Sequence, residues 1–469
     1  MKKVGLISLG CPKNQVDAEI MLGYLTKAGF TITNKESEAE IAIVNTCGFI
    51  NDAKEESVER IIEAVRLKEN GSCKALIVAG CLSERYKEEL IKELPEVDAF
   101  IGISEIEKIA EVCRRLIDNV GADPSVCPPN YGVAKDSIGS PLQVQEPSSR
   151  ILINPQHYAY VKIAEGCNNR CSYCTIPSIR GSYKSREIES IINEVKQFVS
   201  NGVKEINIVA QDTTDYGLDI YKKRGLAELL KELVKINNQF WIRLLYTYPE
   251  HFNDELIDII AGEDKICNYI DIPIQHIDDD ILKSMKRSST EKQIKSLIEK
   301  LRRRIPDIVL RTSLIAGFPG ETEAQFKKLY DFVKEAKFHR LGVFAYSKEE
   351  GTPASKYKNQ ITQKIKDRRR NEIMRLQSGI SLNKNRELIG KTLKALINGL
   401  SNETELLIDG RYYGQAPEVD GVVYINDVGA DPSVCPTNMD EHYPALKSGD
   451  FVNVEITEAH EYDIVGKVI

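Results

Sequence analysis

Apolar residues in this chain fall into short runs separated by segments of helical period, and the alternation repeats. Residues 4–9 are an apolar run. The turn Gly10-Cys11-Pro12-Lys13-Asn14 follows, and residues 16–28 then carry Val16, Ile20, Met21 and Leu25 on one helical face. Residues 41–45 and 75–79 are two further apolar runs, with an amphipathic helical pattern at 57–68 between them. Buried strands alternating with helices predict an N-terminal open parallel α/β sheet with helical cover.

A second alternating series begins at residue 158. Strands are expected at 158–164, 205–210, 241–245, 269–272, 309–315 and 340–344. Helices are expected at 188–200, 226–236, 255–260, 291–303 and 323–336. Such strand–helix units predict a central partial TIM-like (β/α)6 barrel, with its ligand face at the carboxyl ends of the strands. A charged helix at 363–386 leads to a third pattern. Short strands at 392–397, 404–408, 421–425, 451–455 and 463–469, punctuated by Gly and Asp, predict a C-terminal small antiparallel β-barrel. The expected domains are 1–117, a Pro-, Gly- and Ser-rich linker at 118–150, 151–385 with the connecting helix, and 386–469.

Length and composition agree with several globular domains: 469 residues, 42% hydrophobic, net charge −7. The net charge does not suggest a nucleic-acid coat. Met1-Lys2-Lys3, the apolar run after it and Cys11 look like a short lipoprotein signal, but a buried strand explains the same residues. The apolar runs fall short of a membrane span. Eleven cysteines do not make a disulfide framework in a chain this long, and they point to a reducing, cytoplasmic setting.

Six of those cysteines carry the chemistry. Residues 165–181 read EGCNNRCSYCTIPSIRG, so Cys167, Cys171 and Cys174 have the spacing Cys-x3-Cys-x2-Cys. Three soft thiolates this close suit an iron–sulfur cluster or a zinc ion. Structural zinc wants four ligands, and neither His157 nor Cys267 completes a finger pattern. Cys11, Cys47 and Cys81 each follow an expected strand. In open α/β sheets those strand ends line the ligand crevice, so three sequence-distant thiolates converge there and suit a second cluster. Cys73 and Cys113 lack that placement and are read as structural.

The Cys-x3-Cys-x2-Cys loop resembles that of the radical S-adenosylmethionine (SAM) enzymes. With the three upstream cysteines and the C-terminal barrel, nearly the whole chain resembles their two-cluster methylthiotransferases, whose last domain is a TRAM domain. The opening SLGCPKNQVDAE looks like the branch that acts on a ribosomal protein. The resemblance implies a 4Fe–4S cluster on Cys167, Cys171 and Cys174 that binds SAM at an open iron and cleaves it to a 5′-deoxyadenosyl radical. It implies an auxiliary 4Fe–4S cluster on Cys11, Cys47 and Cys81 that carries sulfur, and a second SAM as methyl donor. The implied product is 3-methylthioaspartate, formed at the β-carbon of an aspartate in small-subunit ribosomal protein S-twelve. The implied partners are that basic protein, free or in the small subunit, a sulfur donor, and an electron donor such as flavodoxin or ferredoxin. No membrane partner is expected.

No catalytic residue is assigned beyond the cluster ligands. Tyr173, Gln211, Gly317 and Gly320 are the candidate SAM contacts. Tyr173 gives the cluster loop an aromatic face, and Gln211, with Asp212, is polar at a strand end. Gly317 and Gly320 belong to AGFPGETE, where glycine lets backbone approach a ligand. His276 is a candidate pocket residue, and Tyr246, Tyr248 and Gln275 also fall at strand ends. The basic runs 302–304 and 368–370 are read as solvated helix faces. The nonapeptide VGADPSVCP occurs at both 120–128 and 428–436 and reads as an inserted loop element, its Cys127 and Cys435 replaceable by Ser.

Charge bears on the substrate. From residue 391 onward five bases face fourteen acids, a net −9 that leaves +2 for residues 1–390. Phosphate binding calls for clustered Lys and Arg. A barrel this acidic repels tRNA and attracts a basic protein. The alternatives are tRNA adenosine methylthiolation by the same chemistry and an iron–sulfur protein that binds the ribosome without turnover.

Overall fold

Residues 2–71, 73–118, 150–153, 155–401, 403, 407–426 and 446–469 are described by the computed structural model. Both copies of the repeated nonapeptide, with Cys127 and Cys435, lie outside these residues, as does nearly all of the expected linker. The described chain forms two compact units. One comprises Met1–Ile153, Lys162–Arg186 and Ser347–Ser355, and the other Asn154–Val161, Glu187–Tyr346 and Lys356–Ile469.

The first unit is built on a five-stranded sheet of β1 (Lys3–Ser8), β2 (Thr31–Thr33), β3 (Ile41–Thr46), β4 (Ala75–Gly80) and β5 (Ala99–Ile101). The order in space is β2-β1-β3-β4-β5, and each pairing is parallel. Every residue of IAIVNT and ALIVAG is buried, because helices cover both faces of these central strands. The expected strands are β1, β3 and β4. The flanking β2 and β5 are three residues each, too short to show a period. Helices Pro12–Lys27 and Asn51–Glu69 match the expected ones and begin earlier. Helices Cys81–Glu93 and Ile109–Asp118 were not anticipated.

The same unit holds the loop of the second cysteine triad. The expected strand at 158–164 is broken there. β6 (Tyr158–Lys162) ends there and β7 (Ala164–Glu165) begins two residues on, because Arg186 takes the Ile163 carbonyl with its N–H and the Lys162 carbonyl with its side chain. β7 pairs antiparallel with β8 (Lys184–Ser185), which ties the two ends of the loop together.

The second unit contains a six-stranded sheet in the order β13-β12-β11-β10-β9-β6. Its strands are β6 (Tyr158–Lys162), β9 (Glu205–Val209), β10 (Trp241–Leu244), β11 (Ile266–Asp271), β12 (Val309–Ala316) and β13 (Arg340–Ala345). The pairings from β9 to β13 are parallel, as a partial barrel requires. Helices Ile188–Ser200, Glu323–Ala336 and Gln363–Arg386 stand at the expected residues. Thr322 opens the second of these with a capping box to Gln325.

The C-terminal strands β14 (Thr392–Leu400), β15 (Leu407–Tyr412), β16 (Val423–Asn426), β17 (Phe451–Ala459) and β18 (Ile464–Val468) close into a barrel ordered β14-β15-β16-β18-β17. The expectation of a wholly antiparallel barrel needs one correction. β16 and β18 pair in parallel, from Val423↔Ile464 to Asn426↔Lys467, and this pairing closes the ring. Ala395, Ile397, Tyr412, Val423, Ile425, Val454, Ile456 and Ile464 fill its core. No helix among the described residues is long and apolar enough to cross a membrane.

Candidate metal centres

Strand order explains the first triad. β1, β3 and β4 are neighbours, so the residues just past their carboxyl ends are neighbours too. Cys47 directly follows β3 and Cys81 directly follows β4, while Cys11 comes three residues after β1. Cys11 is the N-cap of helix Pro12–Lys27, and Cys81 is the first residue of helix Cys81–Glu93. Helix N-termini favour negative charge, which suits thiolate ligands. Gly10 lets the loops close. Its φ is +91°, and a Cβ there would lie 2.8 Å from Cys47 Cβ and 3.2 Å from Cys47 Sγ.

The three thiols have different surroundings. Burial disfavours the Cys11 thiolate, but the charges of Lys13 and Arg180 outweigh it and the pKa falls. Burial pushes Cys47 up to about 12, with the neighbouring Cys11 and Cys81 adding to the rise. Cys81 is also raised by burial, against the pull of Arg180. Metal binding would release these protons, because a thiolate is the ligand form.

The second triad lies on the loop between β7 and β8. Cys167 N–H donates to the Gly181 carbonyl at 3.1 Å, and Cys174 N–H to the Cys171 carbonyl at 3.1 Å. Ile176 N–H points at Cys174 Sγ at 3.5 Å. The Cys174 thiol is raised by burial, with Cys171 and Cys167 adding to it. Tyr173 is half-buried beside it. The segment Ser347–Ser355 braces both triads within this unit. Ala354 N–H donates to the Ser172 carbonyl at 2.8 Å, and Glu349 pairs with Lys54 at 2.9 Å and Arg85 at 2.8 Å. Arg85 also holds the carbonyl of Gly48, next to Cys47, at 2.9 Å. No sequence pattern marked Glu349.

Each triad offers three soft thiols, the ligand type of iron–sulfur clusters, whereas structural zinc takes four ligands. Among the described residues, the ligand atoms grouped within 4.8 Å of one another are those of Asp212, Asp215 and His251.

The barrel-sheet candidates belong to the second unit. Gln211 follows β9, and its Nε2 is buried without a hydrogen-bond partner among the described residues. Asp212 accepts from Thr214 N–H at 3.0 Å and pairs with His251 Nδ1 at 3.1 Å. His251 carried no sequence signal. His276 does not line a pocket. It is fully buried, with Nε2 3.3 Å from Glu321, whose carboxylate also accepts from the Gly317 N–H and from Arg369. Gly317 has φ +74°, and a Cβ there would meet Lys366 Cγ at 2.5 Å, so its bare backbone accommodates helix Gln363–Arg386. Gly320 is exposed and borders a cavity of about 310 Å³ with Tyr357 and Asn359. Tyr246 and Gln275, at the ends of β10 and β11, hold positive φ angles of 59° and 70°. Of the basic runs, Arg368 and Arg304 pair with surface acids, whereas Arg369 is buried against Glu321.

Three comparisons bear on this arrangement. The chain matches the radical SAM superfamily over residues 161–333, the uncharacterized protein family UPF0004 over 3–102 and the TRAM domain over 389–469. It is 48% identical over 468 residues to ribosomal protein uS12 methylthiotransferase RimO of Pelobacter propionicus, covering 100% of this chain and 98% of the relative. It is 49% identical over 472 residues to the protein of the same name from Acetivibrio thermocellus, again covering 100% and 98%. Among solved structures it is similar to the radical SAM methyltransferase TsrM of Kitasatospora setae with cobalamin and a [4Fe-4S] cluster bound. That likeness has a TM-score of 0.54 and 16% identity over 76% of this chain and 74% of the other, and it concerns the fold alone.

Proposed function

The chain belongs to the ribosomal protein uS12 methylthiotransferases, and on that premise we propose how its residues divide the work. It is a radical SAM enzyme that methylthiolates uS12. Cys167, Cys171 and Cys174 hold the cluster that meets SAM, and Cys11, Cys47 and Cys81 hold an auxiliary cluster. When bound, the first supplies the electron that cleaves SAM to a radical able to take hydrogen from an aspartate β-carbon, and the second supplies sulfur. The observation that carries the auxiliary assignment is the convergence of Cys11, Cys47 and Cys81 past the carboxyl ends of three adjacent parallel strands.

The rest of the chain holds these groups in place and away from water. Gln211 is the best supported of the SAM or substrate contacts, because its buried Nε2 has no hydrogen-bond partner among the described residues. Tyr173 flanks the cluster loop as an aromatic surface for the cofactor. Gly317 and Gly320 shape the turn after β12, and Glu321 fixes that turn through the Gly317 N–H. Glu403, Glu458 and Glu461 are exposed on the acidic barrel and give a basic substrate a complementary surface. Acidity there disfavours tRNA. A sulfur donor and a one-electron donor complete the reaction, in a reducing cytoplasm.

Anaerobic reconstitution, iron counting and mass spectrometry of both candidate substrates test the reading. About eight irons per chain and a methylthio gain on uS12 are expected. About four irons would remove the auxiliary site. Eight irons with a gain on tRNA alone would overturn the reading of the acidic barrel.

A further inference from the structure

Between the two triads of the first unit lies a closed ring of four buried charges. Arg180, 1% exposed, donates to Asp17 at 2.9 Å through Nη2 and to Glu165 at 2.9 Å through Nη1. Lys162 donates to the same two carboxylates, to Glu165 at 2.6 Å and to Asp17. Two cations and two anions balance, and each acid is shared by both bases. Removing one member would leave another buried charge without its partner. The Glu165 carboxyl is held below its ordinary value, the two cations outweighing its burial.

The ring does more than neutralise itself. Arg180 Nη2 also reaches Cys81 Sγ at 3.4 Å. The next residue, Gly181, accepts the Cys167 N–H at 3.1 Å. Cys81 belongs to one triad and Cys167 to the other, so two consecutive residues touch both. Asp17 lies on the helix that Cys11 caps, and Glu165 precedes Cys167 by two positions. The four charges therefore tie the backbone elements of each triad to those of the other.

We infer that Arg180 is a positioning residue for the auxiliary centre: its N–H···S contact orients the Cys81 sulfur and raises the reduction potential of the cluster that sulfur ligates. Hydrogen bonds to ligand sulfurs and nearby positive charge both stabilise the reduced, more negative state. Its described contacts in the second triad's loop are to Glu165, not to a cysteine sulfur, so the effect falls on one centre. A purely structural arginine would hold the loops and leave the potential alone. The inference rests on the two-cluster reading above.

The test uses the full-length reconstituted chain. The midpoint of each centre is followed by spectroscopic redox titration, with the signals assigned from Cys47→Ala and Cys171→Ala chains. Arg180→Gln paired with Glu165→Gln keeps the ring neutral while removing the donor to Cys81. The expected result is about eight irons retained, with the auxiliary midpoint moved to lower potential and the other centre shifted less. Arg180→Lys keeps the charge but loses the fork, and a smaller shift of the same sign is expected. If the paired variant fails to fold, the lysine variant carries the test. An auxiliary midpoint equal to the parent's, with all irons present, overturns the inference. Only about four irons in the parent chain would instead refute the two-cluster reading on which it stands.

Discussion

Glu205, the first residue of β9, and Arg411, in the C-terminal barrel strand β15, form an ion pair of 2.7 Å with both side chains out of solvent. Arg243 donates to the same carboxylate at 2.7 Å and to the Tyr413 carbonyl at 2.5 Å. Tyr158 and Tyr269 extend the contact, donating to Glu418 and Asp420 at 2.7 Å each. The small barrel is thus fixed to the six-stranded sheet by buried charge. Arg411→Ala leaves Glu205 with one cation and is expected to cost about 3 kcal/mol. A lower Tm checks this, and a Tm equal to the parent's would reject it. Burial opposes ionisation of Glu205, but Arg411 and Arg243 outweigh it and lower its pKa. The pair therefore stabilises above the ordinary carboxyl value and is lost as pH falls through the lowered one.

His157 adds a second pH dependence at the same junction. Its ring nitrogens meet Ser448 at 2.8 Å and Asn398 at 3.1 Å. Burial, helped by Arg411, lowers its pKa to about 4. Between about pH 6.5 and the lowered value the unfolded chain binds the extra proton, so stability falls as the medium is acidified. The loss reaches at most about 3 kcal/mol. His157→Gln is expected to flatten this part of the stability–pH curve, measured by denaturant unfolding. A curve parallel to the parent's would show that His157 does not contribute.

Gly10 bears on the proposed auxiliary site. An alanine there meets Cys47 Cβ at 2.8 Å and must adopt a φ of +91°. Gly10→Ala is expected to lower bound iron from about eight toward four while the cluster on Cys167, Cys171 and Cys174 remains. Full iron loading would mean that the loops yield at no cost to the site.

The three-part architecture was legible because its signals are local, and the same signals place the six candidate ligand cysteines. Apolar runs mark β3 and β4, and spacing marks the Cys167 loop. The partners of those cysteines were not legible. Arg180 is an arginine in SIRG and Glu349 a glutamate in KEEG, and neither acquires meaning until folding brings Cys81 or Arg85 beside it. His276 shows the opposite error. Its place at a strand end suggested a pocket, but the ring points to Glu321 and supports the turn at Gly317. The parallel closure of β16 on β18 was also hidden, because strand direction in a small barrel depends on connections rather than on period.

Separate roles for the triads predict separate losses. Cys171→Ala is expected to abolish formation of 5′-deoxyadenosine from SAM under reducing, anaerobic conditions. Cys47→Ala is expected to retain it and to stop methylthio gain on uS12. Product analysis by mass spectrometry distinguishes the two. Methylthiolation by either variant would rule out the division of labour.

Electrostatic attraction to a basic substrate predicts salt sensitivity. Glu458 and Glu461 are exposed on and beside β17, outside the ion pairs that hold the barrel to the sheet. Each such charge contributes about 0.2–1 kcal/mol to association. Reversing both, Glu458→Lys with Glu461→Lys, is therefore expected to weaken uS12 binding by several-fold at low ionic strength. The difference should shrink as added salt shortens the screening length to about 8 Å near physiological strength. Titration calorimetry at two salt concentrations measures both effects. Equal affinity of parent and variant at low salt would move the recognition surface away from the acidic barrel, and tighter binding by the variant would reverse its sign.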